Sequence, residues 1–146
     1  MKKPLCILMI LLWVTGSVKA QDFSAHQWEN RVLLVMATDK DSKLLQQQIE
    51  IFNQNEAGLK ERKLLVFLMV PNEIATYNPQ AIEWSPFTAP LENYKLRDSE
   101  IELLLIGLDG QNKIRKYSVT SALEIFVTID GMPMRQSEMR NSKKQH

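Results

Sequence analysis

Apolar residues come in separated blocks whose spacing changes character along the chain. Residues 32–36 and 64–70 are unbroken apolar runs rich in β-formers, the pattern of strands covered on both faces. Between them the spacing becomes helical, with Leu45, Gln48, Ile49 and Phe52 on one face and Leu44 beside them. Asp41 or Ser42 can cap that helix, and Gly58 is expected to end it. Strand, helix and strand predict a βαβ unit with adjacent parallel strands at the sheet centre.

Residues 71–99 carry Pro71, Pro79, Pro86 and Pro90 and show no long period. So long a structureless segment is unusual in a small domain, which leads us to expect helical turns over residues 77–84. Trp84 and Phe87 in this segment are read as covering the core, with a binding groove as the alternative. Residues 101–107 and 113–119 flank Leu108-Asp109-Gly110 and predict a hairpin. Lys113, Arg115 and Lys116 would protect its outer arm as a sheet edge. A last helix starts at Thr120 or Ser121, with Glu124 at capping-box distance from Ser121. Ala122, Ile125, Phe126 and Ile129 form its stripe, and Gly131 can end it. Pro133 suits the first turn of a further short helix. The order β-α-β-(irregular or α)-β-β-α is that of an α/β, thioredoxin-like fold with a central mixed sheet of about four strands and flanking helices.

The N-terminus departs from this alternation. Two lysines precede an apolar run over residues 5–14, and Val18-Lys19-Ala20 closes it in the manner of a signal-peptidase site. We expect residues 1–20 to be a signal peptide and residues 21–146 a single domain with a polar tail that frays from about residue 141. Secretion or periplasmic location follows, with no stable membrane insertion after cleavage, since the run is too short to span a bilayer comfortably. Loss of Lys2, Lys3 and Lys19 leaves acids in slight excess, which points away from nucleic acid.

Cys6, the only cysteine, lies inside the apolar run. The exported domain is therefore cysteine-free and can neither form a disulfide nor perform thiol chemistry. A thioredoxin-like enzyme holds its attacking thiol at the start of the first long helix, where this chain has only residues 38–43, TDKDSK. Ser42 is read as a helix cap rather than a nucleophile, because His26 and His146 offer it no convincing base. Anion binding at this helix start is opposed by Asp39 and Asp41.

The densest chemistry lies in residues 129–140, IDGMPMRQSEMR. Asp130, Met132, Pro133, Met134, Arg135, Glu138, Met139 and Arg140 are the candidate binding or motif residues. The favoured reading is a clasp in which Asp130 and Glu138 hold arginines while the methionines cover the sheet. One alternative uses Arg135 and Arg140 to bind an anion or a partner. Another places Cu(I) on Met132, Met134 and Met139. Trp28, Arg31 and Arg115 are secondary candidates, with Trp28 and Arg31 tying the lead-in to the sheet edge.

Residues 28–35 (WENRVLLV), 61–67 (ERKLLVF), 105–115 (LIGLDGQNKIR) and 129–140 resemble a bacterial domain-of-unknown-function family, the prokaryotic DUDES domain. Relatives of that domain occur in vertebrate secreted matrix proteins, including sushi-repeat proteins. The resemblance implies a thioredoxin-like fold and a link to peroxide or redox metabolism. Where many relatives have Gly-Lys-Asp-Gly, this chain has Gly107-Leu108-Asp109-Gly110, so a role for that lysine does not extend to Leu108. We therefore expect a non-enzymatic module without cofactor, whose partner is a protein, an envelope component or a small anion. The alternative is an atypical oxidative-stress-related protein without catalytic cysteines of its own.

Overall fold

The computed structural model describes residues 23–145; the expected signal segment, with Cys6, lies outside them. Strands β1 (Arg31–Ala37), β2 (Leu64–Val70), β3 (Glu73–Thr76), β4 (Ser85–Pro86), β5 (Ile101–Ile106) and β6 (Asn112–Lys116) form one sheet in the order β4-β3-β2-β1-β5-β6. β1 and β2 pair in parallel at its centre, Leu33 opposite Val66, and the other pairings are antiparallel. The mixed sheet with flanking helices is the thioredoxin-like fold. It has six strands rather than about four because the chain after β2 doubles back along it as β3, and β4 adds a short edge.

Alternation along β1 divides the core between the two faces of the sheet. Leu33, Val35 and Ala37 pack with residues of helices α1 (Lys43–Asn53), α2 (Glu56–Glu61) and α3 (Ala122–Asp130). Leu45, Ile49, Phe52 and Ile125 come from the predicted stripes, and burying one such side chain is worth about 1.5–3 kcal/mol. Val32, Leu34 and Met36 face the other way, onto Phe87, Leu91, Phe23 and Tyr94. That second face is covered by short irregular pieces. A 3-10 turn at Phe23–His26 sets Phe23 edge-on to Phe67, with ring centres 5.1 Å apart, and a second turn lies at Leu91–Asn93.

Three expectations need correction. Residues 77–84 form no helix; Pro79 and the pairing of β3 with β2 leave this stretch without a regular element of its own. The first helix ends at Gln54 rather than at Gly58, which sits inside α2. There the glycine is needed for packing, since a Cβ would stand 2.5 Å from the ring of Phe126. Trp28 anchors the lead-in through its backbone alone. Its N–H donates to Leu108 O at 2.7 Å, φ is +70°, and the indole is 63% exposed.

The caps follow the sequence. Ser42 Oγ accepts from Leu45 N and Ser121 Oγ accepts from Glu124 N. The hairpin turns through Gly110, whose φ of +75° suits a residue without Cβ. Helix α4 (Pro133–Lys143) starts on its proline as expected and continues into the polar tail.

Candidate functional site

The two ends of β1 present the chemistry of the molecule. At the C-terminal end, the chain enters α1 through residues 38–42. Asp39 Oδ1 accepts from Asp41 N at 2.8 Å, and Ser42 Oγ, besides capping α1, donates to Glu100 Oε1 at 3.2 Å. Lys40 is drawn aside to Glu73 at 2.8 Å and lies over the Trp84 ring. The start of α1 is thus occupied by its own caps, and Ser42 has a carboxylate rather than a histidine as hydrogen-bond partner.

At the N-terminal end, six ionised side chains meet. Arg31, the first residue of β1, is fully buried and grips the Glu138 carboxylate with both terminal nitrogens, at 3.3 and 3.4 Å. Its Nη1 also donates to Arg62 O at 2.9 Å. Arg62, just after α2, binds Asp130 in the same two-pronged way at 3.0 and 2.7 Å, and its guanidinium lies 4.2 Å from the Phe126 ring centre. Arg135 joins the two halves. It donates to Asp130 at 3.1 Å, to Glu138 at 3.3 Å and to Glu61 at 2.5 Å. The sequence Arg62–Asp130–Arg135–Glu138–Arg31 is therefore one continuous network, with arginine forks matched to carboxylates.

Charge balance explains how these groups tolerate burial. Asp130 closes α3, where burial and the helix's negative end both disfavour a carboxylate. Burial pushes its pKa up, but hydrogen bonds and charge from Arg62 and Arg135 prevail and hold it below the usual carboxylate range. Burial likewise opposes the Arg135 guanidinium, and Asp130, Glu61 and Glu138 overcome it, raising its pKa.

The candidate residues of the 129–140 motif divide accordingly. Asp130, Arg135 and Glu138 come together, and Pro133 starts the helix that carries two of them. Arg140 stays outside; it is exposed and donates to Ser137 Oγ at 3.0 Å. Met132 packs against the core, Met134 is 41% exposed, and both line a small cavity to which Met139 does not contribute. Among the described residues no cluster of three or more His, Cys, Asp or Glu side chains could hold a metal.

Arg115 belongs to a second site. Glu102, a fully buried carboxylate, accepts from the amides of Leu96 and Arg97 and from Arg115 Nη1, which also donates to Tyr94 O at 2.8 Å. Sequence reasoning missed Glu61, Arg62 and Glu102 as partners. Glu102 left a signal, an acid within an otherwise apolar strand, which demands a buried partner. Arg62 left only the charged run before β2.

Fold and sequence together define a thioredoxin-like fold in a chain whose one cysteine is Cys6, so that it has no cysteine pair. The chain belongs to the family described as Domain of unknown function (DUF4174), which matches residues 22–138. Its fold is similar to that of the reduced 2-Cys peroxiredoxin of Plasmodium vivax, with a TM-score of 0.57 and 12% identity. That similarity covers 79% of this chain and 84% of the peroxiredoxin chain. No curated protein matches the chain. Among the described residues, no helix is long and apolar enough to cross a membrane.

Proposed function

We propose that the chain is exported, loses residues 1–20, and acts as a non-catalytic recognition module that contacts a protein, an envelope component or a small anion. The observation that carries this reading is the start of α1. Ser42 caps the helix and hydrogen-bonds Glu100 there, and no residue after Cys6 is a cysteine. A hydroxyl neither ionises near neutral pH nor cycles through a disulfide. The test is thiol-dependent turnover of hydrogen peroxide and of a model disulfide by the protein purified after export. Background rates are expected, and robust turnover that persists in Cys6→Ser would overthrow the reading.

A second reading, a role in oxidative stress without catalytic cysteines of its own, draws on the peroxiredoxin-like scaffold. It predicts that cells lacking the gene become sensitive to hydrogen peroxide and that the Cys6→Ser chain restores resistance. Unchanged sensitivity would count against it.

A further inference from the structure

Helix α4 meets the rest of the domain through few side chains. Arg135 is its only buried residue, Glu138 and Met139 are half-buried, and every other residue from Pro133 to Lys143 is exposed. Together with Met132 at the N-cap, these residues recur at helical spacing and form the inner face of the helix. Its two ionised members are held by Asp130, Glu61 and Arg31. Its two apolar members are both methionines, and Met132 packs against the core. No aliphatic or aromatic side chain shares that contact, since the remaining apolar residues of α4, Pro133 and Met134, are exposed.

Thioethers differ from other apolar side chains in their chemistry. A two-electron oxidant converts them into sulfoxides, polar groups that no longer favour an apolar contact. With no cysteine after Cys6, no thiol of the exported chain competes for the oxidant. Exposure then decides which sulfur reacts. Met36 in β1 and Met69 in β2 are fully buried. Met134 is 41% exposed, and with Met132 it lines a cavity of about 280 Å3 beside the hairpin turn. One water molecule takes up about 30 Å3 of liquid, so this space admits a small peroxide beside both sulfurs.

We propose that α4 carries a methionine oxidation site, in which Met134 is the first sulfur to react with a small peroxide and oxidation of Met132 and Met139 releases the helix. In each step a sulfur lone pair attacks one peroxide oxygen, and the O–O bond breaks as the S–O bond forms. The proton on the transferred oxygen passes to the departing hydroxide, giving a sulfoxide and water. Sulfur loses two electrons and the peroxide gains them. A sulfoxide at Met132 sets a polar oxygen against the apolar core, and the cost of desolvating it opposes docking. Ion pairs alone then hold α4, and their carboxylates, Glu61, Asp130 and Glu138, all keep some contact with solvent. The site goes beyond the recognition-module reading and supplies the oxidative-stress reading with reacting atoms. The two fail separately, since unchanged peroxide sensitivity of cells would sink that reading while the purified chain still opened on oxidation.

The test treats the exported protein with hydrogen peroxide and follows each methionine by peptide mass mapping and each backbone amide by hydrogen exchange. Met134 is expected to gain oxygen first, Met132 and Met139 next, and Met36 and Met69 only on unfolding. As Met132 and Met139 react, exchange in α4 should rise about tenfold or more while β1 and β2 stay protected. Met134→Leu should leave this release intact. Met132→Leu combined with Met139→Leu, which keeps apolar bulk without a reactive sulfur, should abolish it. Oxidation of Met36 or Met69 at the rate of Met132, unaltered α4 exchange once Met132 and Met139 carry oxygen, or release that persists in the double variant would each overturn the proposal.

Discussion

The two ends of β1 are built by opposite strategies. At its C-terminal end, Asp39 with Asp41 and Ser42 with Leu45 satisfy one another over two or three positions, and the distant partners are Glu100 for Ser42 and Glu73 for Lys40. At its N-terminal end, Arg31 is held by Glu138, 107 positions away, and Arg135 by Glu61, 74 positions away. The first arrangement is largely local and replaceable piece by piece. The second is buried and cooperative, so removing one member leaves its partners with uncompensated charge. Six ionised side chains thus meet at the N-terminal end of β1, where the chain's distant parts are tied together.

Substitutions can break that comparison. The largest effect is expected for Arg135→Ala, which strips a partner from Asp130 and Glu138 together. We expect roughly 2–3 kcal/mol lower stability by urea denaturation, less than for a wholly buried pair because the carboxylates keep some solvent. A double-mutant cycle with Asp130→Asn should show coupling; strict additivity would mean that the network is only a set of independent surface pairs.

Gly58→Ala comes next. Helix propensity alone predicts stabilisation, but the Phe126 ring must move, so we expect a net loss of about 1–2 kcal/mol, relieved in a Phe126→Leu background. Stabilisation by Gly58→Ala in the otherwise unaltered chain would show that the ring yields freely.

The pH dependence sharpens the electrostatic part. A folded-state pKa below the unfolded value means that Asp130 contributes stability above about pH 4, and that this is lost as pH falls through the folded value. Asp130→Asn should therefore lower stability near neutrality and flatten its decline in acid, as read from urea midpoints across pH. An equal slope in both proteins would remove Asp130 from the account.

At the other end of β1, Ser42→Ala should cost about 1 kcal/mol, the worth of a helix cap. Arg140→Ala should lie within about 0.5 kcal/mol of the parent, because its partner is an exposed serine hydroxyl. A loss at Arg140 comparable to that at Arg135 would restore it to the clasp.

The helix caps and stripes were legible because their signals are local. Ser42 with Leu45, Ser121 with Glu124, and the buried set Leu45, Gln48, Ile49 and Phe52 all stand within a few turns of one another. The 129–140 motif was legible as a clasp, but only in part. Asp130, Arg135 and Glu138 are local to one another, whereas Arg62 and Glu61 reach them only through the packing of α2 beside α3. The segment over residues 71–99 misled because its prolines forbid a long helix without saying that the chain would return as β3 along β2.

By itself the sequence determined the alternation of elements, the parallel pair at the centre, the caps, and the absence of a thiol after Cys6. These follow from side-chain periodicity, backbone preferences and composition, which act over a few residues or need no geometry. Only the tertiary structure decided which arginine holds which carboxylate, and that Gly58 admits a ring. Such matches depend on distances of a few ångströms between residues far apart in the chain, and those are set only when the sheet and helices close on one another.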